Sequence, residues 1–281
     1  MLFPENLGEY LSIDEVSLSQ GELFTFVTNK NGKGKKGSLV ASIKGTRTSD
    51  IVLVLEKLEL ESRKKVKEVT LDMAKNMESA VRSSFPCCKL VTDRFHVVKL
   101  LIDAIQHLRI KLRWEELDLE NEAIEKAKAA KVKYTPQVCS NGDSPKQLLA
   151  RSRHALAKKE SNWLPSQKER MKLLFEIHPE LKERYNHVMK FRNIYEGINK
   201  VVAREEMENW IRESKEKGIK EFNTVAYTIE YNLDNILNFF DNRNTNANAE
   251  SFNSKIKLFR ANLRGVTDTT FFLFRLHHLF A

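Results

Sequence analysis

Short apolar runs broken by turn residues dominate the first hundred residues of the chain. Several are rich in β-branched and aromatic residues, which is typical of strands. The Asn31-Gly32 pair in the lysine- and glycine-rich stretch predicts a hairpin turn between the second and third runs. The predicted strands are Tyr10–Leu18, Glu22–Thr28, Ser38–Lys44, Lys67–Leu71 and Lys89–Thr92.

Two stretches between these strands have helical spacing. Thr48 or Ser49 is a candidate N-cap for a helix over Asp50–Lys64, and a second helix is predicted over Asn76–Ser84, before Pro86. The predicted order is therefore β-β-β-α-β-α-β. Since the later strands need crossover connections, this order indicates an α/β fold with a mixed five-stranded sheet and helices on its faces.

From Phe95 onward, the apolar residues recur at the spacing typical of one face of a helix. Residues 121–241 carry dense lysine and glutamate between Pro and Gly breaks, which indicates a large all-helical insertion. A polar, asparagine-rich stretch then leads into a helix with Phe252, Ile256 and Phe259 on one face. We therefore divide the chain into segments 1–96, 97–240 and 241–281.

The chain has three tryptophans, Trp114, Trp163 and Trp210, which we expect in the core rather than stacked on bases.

Composition excludes several classes of protein. Hydrophobic residues make up 41% of the chain and charged residues 30%, so the chain is expected to fold rather than remain disordered. No apolar stretch approaches the roughly 18 residues of a membrane span, and no signal peptide is visible, so we expect a cytoplasmic protein. The 3 cysteines are too few for a disulfide framework or a four-ligand zinc site.

The charge pattern indicates a polyanionic partner. The net charge is +9, and residues 30–47 contain six basic residues and no acidic one. Within that segment Lys35 and Lys36 are candidate contacts for this partner, although such lysines also protect an edge strand from pairing with another chain. Near the end of the chain, the candidate contacts for the same partner are Lys255, Lys257 and Arg260.

Three carboxylates are candidate site residues, and for one of them, Asp14, an apolar residue would be the ordinary choice. Asp14 lies within the first predicted strand, and Asp72 ends the fourth. If these strands are neighbours, the two carboxylates repel each other unless a hard cation such as Mg²⁺ or Mn²⁺ lies between them. Glu250 begins a helix after small and polar residues. Each carboxylate also has a structural alternative. Asp72 could cap the next helix, Asp14 could pair with a lysine, and Glu250 could be a first-turn glutamate that the helix dipole stabilises.

Four motifs in order carry a family resemblance. They are IDE at 13–15, VTLDM at 69–73, FPCCKLVTDRFHVVKL at 85–100 and NANAESFNSKIKLFR at 246–260. Together they resemble the catalytic domain of insertion-sequence transposases of the ISL-three family, which implies an RNase H-like fold and an Asp-Asp-Glu triad. The resemblance implies Asp14, Asp72 and Glu250 as the triad. Asp93 and His96 match a separate motif of related transposases, and Asp93 is the alternative second member.

The resemblance also implies the chemistry and the partners. It implies metal-dependent cleavage at transposon ends and strand transfer into target DNA by a homo-oligomer. Segments 1–96 and 241–281 would form the catalytic core. The zinc-binding and helix-turn-helix region of the family does not precede the first strand here, so we expect a separate recognition protein or a truncated remnant. The rival interpretations are a catalytically silent DNA-binding protein derived from a transposase and an RNase H-like nuclease without strand transfer.

Overall fold

A mixed five-stranded sheet organises the N-terminal part of the chain in a computed structural model. The structure describes residues 1–18, 21–216, 218, 220–243, 247–263 and 268–281, and for residues 247–250 it describes the backbone only. The predicted α/β class and the five-stranded mixed sheet are confirmed. The strands are β1 (Tyr10–Ser17), β2 (Leu23–Asn29), β3 (Leu39–Lys44), β4 (Glu68–Leu71) and β5 (Lys89–Thr92).

The order of strands across the sheet is β3-β2-β1-β4-β5. The β1–β2 and β2–β3 pairs are antiparallel, whereas β4 runs parallel to both β1 and β5. In the β1–β4 pair Tyr10 lies opposite Glu68 and Ser12 lies opposite Thr70. The prediction that the first and fourth strands are neighbours is therefore confirmed, and the end of β4 lies beside the middle of β1.

Helices follow and separate the later strands. Within the described residues, no helix is both long enough and apolar enough to cross a membrane. The helices are α1 (Thr48–Leu55), α2 (Leu60–Lys64), α3 (Lys75–Ser84), α4 (Arg94–Ala129), α5 (Pro145–Arg151), α6 (Arg153–Leu156), α7 (Pro165–Ile177), α8 (Pro179–Ile194), α9 (Lys200–Glu216), α10 (Lys220–Tyr231), α11 (Leu233–Leu237), α12 (Phe239–Asn242), α13 (Ala247–Asn262) and α14 (Thr269–Phe280).

The prediction of a single helix over Asp50–Lys64 is wrong, because the chain forms two helices, α1 and α2, with a turn between them. Leu58 in that turn is only 3% exposed and packs into the core beneath the sheet. Arg63 donates from Nε to the Leu58 carbonyl at 3.2 Å and from Nη1 to the Ser84 carbonyl at 2.8 Å. Burial of Leu58 and these two hydrogen bonds favour the break over a continuous helix.

The predicted hairpin turn is a short 3-10 turn over Lys30–Gly32. The Asn29 side chain accepts a hydrogen bond from the Asn31 N–H at 3.0 Å, which stabilises the start of the turn. A Cβ on Gly32 would lie 2.7 Å from the Ser38 Cα, so only glycine fits there. The turn directs Lys30 inward, where it is 9% exposed.

Each face of the sheet is covered by its own apolar core. Alternation along β1 places Leu11 and Ile13 on one face, in the core that α1 and α3 complete. The opposite face carries Val16, and there α13 and α14 supply Phe252, Ile256, Phe272 and Leu276. Asp14 has the same parity as Val16 and therefore points toward the face that α13 covers.

The chain divides into two compact units, and α4 begins in the first and continues in the second. The first unit contains residues 1–97 and 232–281, and the second contains residues 98–231. The last predicted segment begins at residue 241. In the structure α11 lies before that point and α12 spans it, and both belong to the first unit, where the Asn238 side chain donates to the Leu90 carbonyl at 2.9 Å.

The three tryptophans differ in burial. Trp163 is 8% exposed and Trp210 is fully buried, as expected for core residues, but Trp114 on α4 is 61% exposed. The expectation that all three lie in the core is therefore wrong for Trp114.

Candidate active site

Asp14 is a half-buried carboxylate in the middle of the sheet. Its Oδ1 accepts a hydrogen bond from the Glu15 N–H at 2.8 Å, and its Oδ2 accepts one from Asn253 Nδ2 at 2.6 Å. Burial raises the pKa of Asp14 above its ordinary value, and the charge of Asp72 adds to that increase. The Glu15 N–H, the charge of His96 and the Asn253 amide act in the opposite direction. The site therefore holds a carboxylate whose negative charge is only partly compensated.

Asp72 follows the last residue of β4 and is half-buried. Its Oδ1 accepts a hydrogen bond from the Ala74 N–H at 2.9 Å, just before α3 begins at Lys75. Asp72 therefore does not cap α3, whose N-cap residue is Ala74, and the contact is a local turn that precedes the helix. The same side chain lies close enough to Asp14 to raise its pKa. Asp72 therefore combines a local hydrogen bond with a long-range electrostatic interaction.

Asp93 and His96 lie at the end of β5 and in the first turn of α4. Asp93 is 2% exposed, and its Oδ1 accepts a hydrogen bond from the Phe95 N–H at 3.3 Å. Its Oδ2 is buried and has no hydrogen-bond partner among the described residues. His96 is half-buried and is close enough to Asp14 for its charge to lower the Asp14 pKa. Of this pair, His96 is the member that acts on Asp14.

Helix α13 brings the fourth motif to Asp14. Phe252 and Ile256, one turn apart, are buried against the sheet, and the Phe252 ring contacts the Phe26 ring with centroids 6.1 Å apart. The packing of Phe252 on the sheet places Asn253, which follows it in the chain, against Asp14. Asn253 was not among the predicted site residues, although its position three residues after Glu250 in a helical motif was a usable signal. Glu250 lies in the first turns of α13, and its side chain lies outside the described residues.

The sequence analysis also missed a buried ion pair next to the site. Lys30 Nζ contacts Glu68 Oε1 at 3.1 Å and also donates to the Thr70 hydroxyl. Asn242 Nδ2, at the end of α12, donates to Glu68 Oε2 at 3.1 Å. Burial lowers the pKa of Lys30, while the charges of Glu68 and Asp93 oppose that effect. Lys30 was counted among the basic residues of segment 30–47, but its ammonium group faces the interior.

The other predicted basic residues divide into two groups. Lys35, Lys36 and Lys257 are exposed. Lys255 Nζ donates to the Gly34 carbonyl at 2.7 Å, so α13 lies next to the loop that carries Lys35 and Lys36. Arg260 is half-buried and lies over the Phe272 ring, with its guanidinium carbon 5.1 Å from the centroid. Its position indicates a packing role in addition to any contact with DNA.

The donor set at Asp14 and Asp72 fits a hard divalent cation. Two carboxylates are close enough to interact, one of them is half-buried with a raised pKa, and oxygen ligands are those that Mg²⁺ and Mn²⁺ prefer. A bound cation would neutralise the charge that burial and Asp72 make unfavourable. Among the described side chains, no group of three or more His, Cys, Asp or Glu residues forms a metal site. The side chain of Glu250, the third carboxylate that the resemblance implies, is not among those described.

Comparison with known proteins agrees with these observations. A protein-family model described as a transposase, that of the ISL-three group of DDE transposases, matches residues 11–276. The match begins within β1 and ends within α14, so it includes all four motifs and both compact units. No curated protein matches the chain.

Proposed function

Because the chain belongs to the ISL-three family of DDE transposases, we propose that it cleaves DNA at transposon ends and transfers the freed strand into target DNA. The observation that carries this proposal is the meeting of three distant motifs at Asp14. Asp72 and His96 act on its charge, and Asn253 donates to its Oδ2 at 2.6 Å. Asn253 lies in the same helix as Glu250, three residues later.

In this proposal Asp14, Asp72 and Glu250 hold Mg²⁺ or Mn²⁺. Such ions would neutralise charge on the attacking and leaving oxygens of a phosphodiester. The chain's own residues prepare the site. Asn253 fixes the rotamer of Asp14 by binding Oδ2, and the Glu15 N–H holds Oδ1. His96 lies close enough to Asp14 to lower the Asp14 pKa, and we propose that it positions the DNA phosphate.

Two observations support Asp72 over Asp93 as the second carboxylate. Asp72 is among the groups whose charge acts on Asp14, and the strand before it, β4, is the neighbour of β1. Asp93 follows β5, one strand further out, and its charge acts on Lys30 in the buried ion pair. We therefore propose that Asp93 supports the site from within the core and that Asp72 is a ligand.

The proposed DNA contacts lie on α13 and the loop before β3. Lys255 donates to the Gly34 carbonyl, which places α13 next to the loop that carries Lys35 and Lys36, and Lys257 is exposed on the same helix. We include Arg260 among these proposed DNA contacts, in addition to its packing role. The family implies DNA as the partner. A homo-oligomer, a separate recognition protein for the terminal repeats and a cytoplasmic location are further parts of the proposal.

The decisive experiment measures cleavage and strand transfer on end-labelled DNA that carries the terminal repeats of the encoding element. Wild type is compared with Asp14→Asn, Asp72→Asn, Asp93→Asn and Glu250→Gln, each with Mg²⁺, Mn²⁺ or EDTA. We expect joined products that need a divalent cation and disappear in the Asp14, Asp72 and Glu250 variants. Circular dichroism of each variant controls for loss of fold. Full activity in Asp72→Asn with none in Asp93→Asn would reassign the second carboxylate.

The same assay separates the rival functions. Cleavage without joined products would support an RNase H-like nuclease. DNA binding without cleavage in any metal would support a catalytically silent protein derived from a transposase. In that last case the product of an adjacent open reading frame is added, because restored cleavage would show that a recognition partner was missing.

A further inference from the structure

Glu68 is a buried carboxylate that joins three segments of the first unit. It lies in β4, four positions before Asp72, and its side chain is 4% exposed. Its Oε1 lies 3.1 Å from Lys30 Nζ, and its Oε2 accepts a hydrogen bond from Asn242 Nδ2 at 3.1 Å. Replacing a buried ion pair by apolar residues is often neutral or stabilising, so these contacts point to a role in specifying geometry.

The first contact links the turn at Lys30 to β4. The Lys30 ammonium group also donates to the Thr70 hydroxyl. Glu68 and Thr70 are two positions apart in the strand and therefore lie on the same face of the sheet. One ammonium group thus binds two neighbouring side chains of the strand that ends beside Asp72.

The second contact links α12 to the same strand. The segment that forms α12 makes three side-chain contacts with the sheet. Asn238 donates to the Leu90 carbonyl at 2.9 Å and Asp241 pairs with Lys89 at 3.3 Å, both on β5, whereas Asn242 binds Glu68 on β4. Helix α13 begins five positions after Asn242, a stretch that spans at most about 17 Å when fully extended. Anchoring Asn242 therefore restricts where α13 can begin.

Helix α13 also contacts the loop that follows Lys30. Lys255 Nζ donates to the Gly34 carbonyl at 2.7 Å, four positions after Lys30. Two positions before Lys255, Asn253 donates to Asp14 Oδ2 at 2.6 Å. The loop at Lys30 is thus bound to β4 through Glu68 and to α13 through Gly34. These contacts tie α12, α13 and β4 to one another around the candidate active site.

We propose that Glu68 is a positioning residue of the candidate active site, which acts through Asn242 to fix α13 relative to Asp14 and Asp72. Glu68 is buried at the start of β4, and in this proposal it touches neither DNA nor a metal ion. Its carboxylate holds the segment that leads into the helix carrying Glu250. The inference rests on the proposed function in taking that helix as the source of a metal ligand.

Hydrogen exchange of the whole chain, followed by mass spectrometry without metal or DNA, tests the positioning directly. Asn242→Ala removes an exposed side chain and leaves the Lys30–Glu68 pair in place. Because a hydrogen bond to a charged group is lost, we expect the amides of residues 251–262 to exchange about 10-fold faster, with β1 and β4 unchanged. The control is Asn121→Ala, which removes an exposed asparagine from α4. Unchanged exchange in α13, or equal acceleration in β1, β4 and α13, would overturn the proposal.

A pair of variants tests whether the contact between the two side chains carries the effect. Asn242→Asp places a second carboxylate beside Glu68, so we expect faster exchange in α13 than in Asn242→Ala. Asn242→Asp/Glu68→Gln exchanges donor and acceptor and keeps a negative charge close to Lys30. This double variant is expected to return α13 exchange toward the wild-type rate. A double variant that exchanges as fast as Asn242→Asp would contradict a role for this contact.

The consequence for catalysis is a change in kcat rather than in DNA binding. With Mg²⁺ and transposon-end DNA, we expect Asn242→Ala to lower kcat for cleavage about 10-fold and to leave KM for DNA unchanged, because small displacements of catalytic groups are costly. Wild-type kcat combined with faster α13 exchange would refute the positioning role. If wild type cleaves no DNA with any metal, the proposed function fails, and the exchange measurements still decide whether Glu68 fixes α13.

Discussion

Replacing Lys30 by methionine is expected to destabilise the sheet that carries the candidate active site. Lys30 and Glu68 form a buried pair at 3.1 Å, and their side chains are 8% and 4% exposed. Methionine has nearly the shape of lysine but no charge, so the Glu68 carboxylate would remain buried without its counter-charge. The matched double variant is Lys30→Met/Glu68→Gln, which removes both charges and keeps a polar group for Asn242 and Thr70.

The magnitude follows from the distance and the burial. Two unit charges at 3.1 Å interact by roughly 5 kcal/mol at an effective dielectric constant of about 20. Loss of one partner of a buried pair typically costs about 3–5 kcal/mol. The Asn242 amide still donates to Glu68 Oε2 at 3.1 Å, which favours the lower end, about 3 kcal/mol. The double variant is expected to lose less than the single variant because no unpaired charge remains.

Hydrogen exchange of the β1 and β4 amides, followed by mass spectrometry, is the appropriate assay. All three tryptophans lie in residues 98–231, so their fluorescence reports the other unit. A loss of about 3 kcal/mol in opening free energy accelerates exchange about a hundred-fold. The control Lys67→Met breaks the Lys67–Glu9 pair, whose side chains are 60% and 51% exposed, and is expected to cost less than about 1 kcal/mol.

Two results would refute this reasoning. Exchange in Lys30→Met as slow as in Lys67→Met would show that the buried charge of Glu68 is compensated by other groups. The single variant Glu68→Gln completes the cycle. A double variant that loses the sum of the effects of Lys30→Met and Glu68→Gln would show that Lys30 and Glu68 do not interact energetically.

Three further predictions concern the site and its surroundings. Because the folded-state pKa of Asp14 is raised, the stability gained by protonating it is present at low pH and lost as the pH rises through that pKa. Asp14→Asn is therefore expected to raise Tm at neutral pH, with a gain that shrinks toward acidic pH in calorimetry. Asn253→Ala removes a hydrogen bond to a carboxylate worth about 1.5–3 kcal/mol, so kcat for cleavage is expected to fall about 10- to 100-fold with unchanged DNA affinity, whereas Ser254→Ala retains activity. Burial lowers the pKa of His277 to about 4 from 6.5, so stability is complete above pH 6.5 and falls by roughly 3 kcal/mol as the pH approaches 4. His277→Gln, which keeps a polar partner for the Ser42 hydroxyl, is expected to flatten this dependence in denaturant titrations at several pH values, and an unchanged slope would assign the acid sensitivity to another group.

Local patterns were sufficient for the strands and their order. β5 begins and ends where the pattern of Lys89–Thr92 predicts, and β1 to β4 differ by a residue at one end or both. The alternation typical of a strand involves residues one or two positions apart, and turn residues such as Gly32 mark where a strand ends. The strands can therefore be predicted without knowledge of distant contacts. The predicted metal site required β1 and β4 to be neighbours, and the pairing of the two strands in the sheet meets that condition.

Local patterns failed where a distant partner decides the conformation. The helix predicted over Asp50–Lys64 breaks because Leu58 finds a place in the core and Arg63 binds the Ser84 carbonyl. Lys30 resembles the other lysines of its segment, yet a carboxylate 38 residues away holds it inside. Trp114 has the hydrophobicity of a core residue, and only the placement of α4 leaves it exposed.

The sequence by itself determined the fold class, the strands, the family resemblance and the residue types at the candidate site. The tertiary structure alone decided which of them meet. Asp14 and Asn253 are 239 positions apart and bond because Phe252 and Ile256 dock α13 on the face of the sheet that carries Asp14. The negative charge of Asp14 is only partly compensated because the side chain is half-buried and lies near Asp72. Both conditions depend on the pairing of β1 with β4. Periodicity and composition describe neighbours in sequence, whereas burial and charge interactions depend on neighbours in space.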